Sequence, residues 1–475
     1  MIVLNKKTEI PKNASIVLFI DNTDKLTHFG LSELEVDYIN AKLDDANNKV
    51  CLNRLTHQYL IVNINYPKIT SEVLRNNGAW ASKILNDEKV QTLYVVGTTN
   101  SENVILDFLE GFLIASYRFN KYKTEVNKNS FSVNELCIVH PSIKQKRLDE
   151  IMNLFKAVSF ARDIVNETPE YLTADKLVSL AVEMVIPYNV KTTVLNKQQI
   201  KEAGMGGVLA VNRGSELPPS FAIFEWKPES AVNDQPYVII GKGVVYDTGG
   251  INLKTMPGSL DDMKCDMGGA AAVAGLMAAI AMNQLPIHVI GLIPATDNRP
   301  GYNAYVPGDV ITMHSGLTVE VMNTDAEGRM ILADALSYAK QYNPQLTIDL
   351  ATLTGSAVMT FGSYAMAGMG TAENEVVSSL SKSAENTGER IGWLPFWDVY
   401  DELIKSEVAD MKNIGGREAG AITAGKFLSR FIQTPWIHLD IAGPAFLTKP
   451  LGYYGVGATG SGIRLLYDFF KAKCH

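Results

Sequence analysis

Cysteine is scarce in this 475-residue chain, and the four present (Cys51, Cys137, Cys265 and Cys474) show no paired spacing. That argues against a disulfide framework and a cysteine-ligated zinc site, and it suits a reducing compartment. Long apolar runs are missing too. The best contender, residues 267–282, is uncharged but rich in Gly and Ala, and it falls short of the ~20 residues that a bilayer crossing needs. It reads instead as a helix buried against a sheet. At the N-terminus, Lys6 and Lys7 are followed by Glu9 and Pro11, and the apolar run at 16–20 is shorter than the core of a secretion signal. These features predict a cytoplasmic protein with no membrane partner. Positive charge is in deficit, with 43 Lys and Arg against 51 Asp and Glu, a formal net charge of −8. A polyanion binder carries the opposite bias, so a nucleic-acid partner is not expected. The basic stripes Lys121-Tyr122-Lys123 and residues 144–147 read as solvated faces, with local nucleic-acid binding as the alternative reading.

Glycine is sparse in the first third. Of 37 glycines, only Gly30, Gly78, Gly97 and Gly111 precede residue 150. Glycine gathers where backbone turns sharply or approaches a ligand, so the chemistry is expected later in the chain. With 46% hydrophobic residues there is ample material for a core. Residues 15–20, 59–64 and 92–97 read as short buried strands, and 71–85 and 104–117 as helices. Further strands are expected at 236–240, 288–293, 347–350 and 436–441, with helices at 267–284 and 330–342. The alternation predicts an α/β protein: a small N-terminal α/β domain (1–146), a linking helix (147–167) and a larger C-terminal α/β domain (168–475) with a mixed central sheet.

Three segments put charge where an ordinary core would not. Residues 239–254, IIGKGVVYDTGGINLK, carry Lys242 and Asp247 just past a strand and Lys254 after a Gly-Gly turn. Residues 261–270, DDMKCDMGGA, place Asp266 before the small-residue helix. Residues 323–330, NTDAEGRM, hold Asp325, Glu327 and Arg329 at alternate positions. In extended backbone alternate side chains share a face, so all three can enter one cleft. Converging carboxylates repel one another unless cations intervene, and two divalent ions ~3.5–4 Å apart form the clamp of a two-metal hydrolase. Oxygen ligands suit Mg2+, Mn2+ or Zn2+. None of the seven histidines falls in these segments. The plainer alternative is that Asp266, Asp325 and Glu327 merely serve helix N-termini, which the macrodipole favours.

At these residues the sequence resembles the leucine aminopeptidase family, the two-metal cytosol aminopeptidases. NTDAEGRMILADAL (323–336) is close to that family's signature, and the Lys242 and Asp266 segments are similar to its other metal-site motifs. DLATLTGS (349–356), FLEGFLIASYRFNKYKT (108–124), ARDIVNETPEYLTADKL (161–177) and GATGSGIRLL (457–466) extend the likeness. The family often has Phe-Asp-Ser where this chain has Tyr246-Asp247-Thr248, a change that keeps shape.

The resemblance implies that Asp247 and Glu327 bridge two ions, with Asp325 completing one site and Lys242 and Asp266 the other. A ligating Lys242 would have to be neutral, its pKa depressed by the adjacent cation. It further implies that Lys254 stabilises a tetrahedral oxyanion and that Arg329 holds a bicarbonate acting as base on a bridging water. Met263, Asn323, Thr352, Leu353 and Gly355 would line the substrate cleft. The ions implied are Zn2+ or Mn2+, with Mg2+ or Co2+ accepted at the looser site. The substrates are peptides with a free N-terminus, especially those beginning with leucine and other apolar residues, and the assembly is a homohexamer.

Two other patterns carry less. Residues 455–460 fit the glycine fingerprint of dinucleotide sites, but only fifteen residues follow, too few to finish the βαβ unit. His140, His288, His314 and His438 are scattered and read as hydrogen-bonded residues of strands or loops.

Overall fold

The buried apolar runs of the first third form a parallel sheet, in a computed structural model that describes residues 2–44, 46–97, 102–125 and 130–474. The chain divides into two units, Met1–Lys156 with Lys449–Val456, and Ala157–Thr448 with Gly457–His475. In the first unit, strands β1 (Val3–Lys6), β2 (Ser15–Ile20), β3 (Lys49–Asn53), β4 (Gln58–Asn63), β5 (Thr92–Gly97) and β6 (Glu135–Val139) lie in the order β1-β6-β5-β2-β4-β3. All neighbours are parallel except β3 and β4. Strand β2 is buried along its whole length. Val17 and Phe19 enter one apolar cluster, while Ile16, Leu18 and Ile20 enter another. A parallel strand covered on both faces reads as a continuous apolar run, which is why SIVLFI stands out. Helices Ser71–Asp87 and Glu102–Ser116 fall where the periodicity puts them, and helix Gln145–Asn166 runs through the boundary between the two units.

The second unit is built on a nine-stranded mixed sheet. Its strands are β7 (Lys191–Leu195), β8 (Ser220–Trp226), β9 (Tyr237–Gly241), β10 (Gly243–Asp247) and β11 (Val289–Asn298). After the short β12 (Val310–Thr312) and β13 (Thr318–Glu320), it continues with β14 (Leu346–Ala351), β15 (Met366–Gly370) and β16 (Ile391–Trp393). Then β17 (Met411–Lys412) precedes β18 (Trp436–Asp440). The order is β16-β15-β18-β14-β9-β11-β8-β7, with β10 beside β11. Strands β18, β14, β9 and β11 are mutually parallel, so Lys242, Thr352 and Asp440 all lie at or just past carboxyl ends, where open α/β sheets bind ligands. Strands β12, β13 and β17 form a separate small sheet.

Helix Gly268–Met282 packs on β9, β11 and β14 and is buried over almost its full length. Its small residues have a steric cause: a Cβ at Gly269 would collide with the Leu350 carbonyl and the Lys242 amide nitrogen. The strand expected at 288–293 runs on to Asn298. Proline usually ends a strand because it gives no N–H to the ladder. Here Pro294 falls at a changeover, because β9 pairs with residues 289–292 and β10 takes over at Ala295.

Candidate active site

Lys242, Asp247, Lys254, Asp266, Asp325, Glu327 and Arg329 all line one cleft of about 570 Å3 in the second unit. Asp247 ends β10 after a register shift between Val244 and Asp247, the kind of irregularity that re-aims a side chain. Its Oδ1 accepts from Gly249 N at 2.8 Å and from Asn298 Nδ2 at 2.8 Å. Gly249 and Gly250 both adopt positive φ, +88° and +66°, so the turn toward Lys254 needs glycine. Carboxylate oxygens of Asp247, Asp325 and Glu327 all lie within 4.8 Å of one another.

Asp266 and Lys242 complete the group. Lys242 Nζ lies 2.8 Å from Asp266 Oδ1 and 2.9 Å from Glu327 Oε1, and it donates to the Thr352 carbonyl at 2.8 Å. Thr352 Oγ1 donates to Asp266 Oδ1 at 2.9 Å. Lys254 Nζ pairs with Asp247 Oδ2 at 2.7 Å and Asp325 Oδ1 at 2.5 Å. Met263, Asn323, Thr352, Leu353 and Gly355 line the same cleft.

The electrostatics follow from crowding. Burial pulls the Lys242 ammonium toward neutrality, but Asp266, Glu327 and Asp247 outweigh it and hold its pKa above the usual lysine value. The carboxylates acting alone thus oppose the neutral lysine that metal ligation requires. Burial, reinforced by Glu327 and Asp247 against the opposing Lys242, raises Asp266 well above the ordinary carboxylate range. Asp325 keeps a third of its side chain exposed, yet desolvation and the neighbouring Asp247 and Glu327 push it up to about 7. Burial lowers Arg329 to about 10.

One expectation needs correcting. Asp325, Glu327 and Arg329 do not alternate along extended backbone. Asp325 sits in a turn, and Glu327 opens helix Glu327–Ala339 with Arg329 in its first turn, yet all three still line the cleft. Arg329 Nη1 donates to the Asn413 carbonyl at 2.8 Å, while its buried Nε has no partner. The plainer alternative holds only in part: Glu327 sits in the first turn of its helix, but none of the three acids caps one. The caps at Met267 and Ala326 make no side-chain hydrogen bond, and Asp266 turns to Lys242 and Thr352 instead.

The donor set fits divalent cations. Asp266 Oδ2 is buried without a partner, and four carboxylates face two lysines in one cleft. Buried oxygens in such excess call for further positive charge, and carboxylate oxygen is what Mn2+, Zn2+ and Mg2+ accept.

Several contributors were not legible in the sequence. Asn298 Nδ2 donates both to Asp247 Oδ1 and, at 3.0 Å, to the Thr324 carbonyl, which joins two acidic segments. Thr324 is held further by Gly249, Asn252 and Tyr305. Asn413 Oδ1 accepts from Met322 N at 2.8 Å, and its Nδ2 donates to the Asn323 carbonyl at 2.7 Å. Asp440 accepts from Leu353 N at 3.1 Å and Thr354 Oγ1 at 2.7 Å, fixing the loop beyond β14. Three of the scattered histidines have the hydrogen-bonding partners expected of them: His438 pairs with buried Asp349 at 2.6 Å, His288 with Glu225 at 3.2 Å and His314 with Ser337 at 2.8 Å. The only sequence signal for Asn298 was polar residues continuing an apolar strand.

Fold and site together define a metal-dependent hydrolase. The chain belongs to the cytosol aminopeptidase family, whose catalytic-domain profile matches residues 159–467. It is 45% identical over 384 residues to a probable cytosol aminopeptidase of Chlorobaculum tepidum, covering 78% of this chain and 75% of the relative. A probable cytosol aminopeptidase of Geobacter sulfurreducens is 40% identical over 441 residues, covering 89% and 88%. Among solved structures, a mutant of tomato leucine aminopeptidase aligns with a TM-score of 0.88 at 26% identity, over 99% of this chain and 97% of that one. The bottromycin maturation enzyme in complex with Mn aligns with a TM-score of 0.86 at 26% identity, over 98% and 100%. The chain is a peptide hydrolase of the metallo-aminopeptidase kind, dependent on divalent metal.

Proposed function

We propose that the chain removes N-terminal leucine and other apolar residues from peptides, with Asp247 and Glu327 shared by two cations. Asp325 completes one cation site, and Lys242 and Asp266 the other. The observation that carries this reading is the gathering of all five residues in one cleft, with a buried Asp266 oxygen left without a partner. Bound divalent cations supply Lewis acidity and an activated water. Lys242 answers the same carboxylates that a cation would neutralise, so cation binding removes the reason for it to stay protonated.

Lys254 is suited to the opposite task. Burial works against its charge, but Asp247 and Asp325 keep its pKa above the usual lysine value, so it is an ammonium at neutral pH. Cations on those two carboxylates would release it to donate to the oxyanion of the tetrahedral intermediate. Arg329 has a buried Nε with no acceptor, which supports an oxyanion such as bicarbonate held there as a base. Met256, Met263, Leu353, Val358 and Ile414 give the cleft an apolar wall, which supports the side-chain preference. The family resemblance extends the reading to a cytoplasmic homohexamer, with residues 168–475 as the catalytic domain, 147–167 as a linking helix and 1–146 as a separate domain.

Digestion of matched peptides tests the reading. A peptide beginning with free leucine is expected to lose that residue, and its N-acetylated counterpart to resist, because the acidic floor suits a free amine. Equal turnover of the two would sink it.

A further inference from the structure

Four cations line the cleft, and three are committed. Lys242 and Lys254 face carboxylates, and Arg329 is buried against the Asn413 carbonyl. Arg417 is different: it is exposed, and among the described residues it has no hydrogen-bond, ion-pair or ring partner. The loop that carries it is tethered at both ends. Asn413, bound to Met322 and Asn323, ties one end to the turn that holds Asp325. At the other end Gly420 lies against Ser356, and both line the cleft. Between them Gly416 bends the chain at φ +94°, a conformation that glycine adopts freely.

The cleft therefore combines an acidic floor with one unpaired guanidinium. A short peptide has the matching charges, an amine at one end and a carboxylate at the other, and two residues span only ~7 Å. Building on the aminopeptidase reading, we infer that Arg417 receives a carboxylate on the residue after the scissile bond. The favoured substrates are then dipeptides, through the terminal carboxylate, or longer peptides with Asp or Glu in second place. Guanidinium and carboxylate match as a fork, and an exposed pair of this kind is modest in strength and sensitive to salt.

The test compares metal-loaded wild type with Arg417→Gln and Arg417→Lys. Substrates are Leu-Gly against its amide, Leu-Asp amide against Leu-Asn amide, and leucine p-nitroanilide, which has no carboxylate. The first pair isolates the terminal carboxylate and the second the side-chain one. Wild type is expected to favour the carboxylate member of at least one pair by roughly three- to tenfold in kcat/KM, mostly through KM. Added salt should shrink the preference, Arg417→Gln should erase it and Arg417→Lys should keep most of it. All three proteins should cleave leucine p-nitroanilide alike. A wild type indifferent to both carboxylates, or a preference unchanged in Arg417→Gln, would overturn the inference while leaving the peptidase reading intact. Failure of wild type to cleave leucine p-nitroanilide would instead overturn the aminopeptidase reading, and this inference with it.

Discussion

Asn298 shows how a neutral side chain can govern a charged site. Its amide is used as a double donor, to Asp247 Oδ1 and the Thr324 carbonyl, while its buried Oδ1 has no partner. The two acceptors dictate which end of the amide faces them. Such outer contacts fix the aim of a ligand and typically change metal affinity ~10–100-fold when removed. Asn298→Ala is therefore expected to weaken Mn2+ binding by about that factor in calorimetric titration; unchanged affinity would assign Asn298 a packing role only. The two lysines part in the same experiment. Lys254→Ala should lower kcat by ~10²–10³-fold with metal content intact, since one oxyanion donor is lost. Lys242→Ala should lower metal content, measured by elemental analysis. The reverse pattern would exchange their roles. The charged residues were legible because each sits in a short segment whose order alone is informative. Asn298 and Asn413 were not, because their partners lie tens of residues away and meet them only through strand register and the β17 return.

At the scale of elements, the sequence located strands and helices well but misjudged where function begins within them. Residues 323–330 alternate in charge and so resemble a strand, but Glu327 already belongs to a helix. Tertiary burial of MILADAL pulls the helix start into the motif, which period-two spacing cannot reveal. The same helix carries buried Asp334, whose Oδ2 accepts from Val208 N and whose Oδ1 accepts from His314 N, both at 2.9 Å. This carboxylate thereby anchors helix Gly206–Asn212 and the turn after β12. Burial outweighs those hydrogen bonds and pushes its pKa up to about 7 from the usual 3.8. A folded pKa above the unfolded one means that the folded state binds the proton more tightly. The resulting stabilisation is complete below pH 3.8 and is lost as pH rises toward 7. Asp334→Asn should be less stable overall by about 1–3 kcal/mol, because one backbone donor loses its acceptor. Denaturant titrations should also show less decline between those pH values in the variant than in wild type. Equal slopes would mean that Asp334 is ionised throughout.

Across the molecule, the uneven glycine distribution located the chemistry correctly, since the whole cleft lies in the second unit, where glycine is abundant. The alternation of strand and helix was enough for the α/β class, and the motifs were enough for the family. Strand order was beyond reach: β9 sits between β11 and β14, partners 52 and 109 residues away in sequence that local patterning does not connect. That order is what brings Lys242, Asp266 and Thr352 together at one edge. The account rests on this carboxylate cleft acting through divalent cations. Its most direct test is to strip the protein with a chelator, titrate Mn2+ back and follow both bound metal and release of leucine from Leu-Gly-Gly. Activity is predicted to vanish in the stripped protein and to return to a plateau as two ions bind per chain. Full turnover in protein shown by elemental analysis to be metal-free would contradict the account.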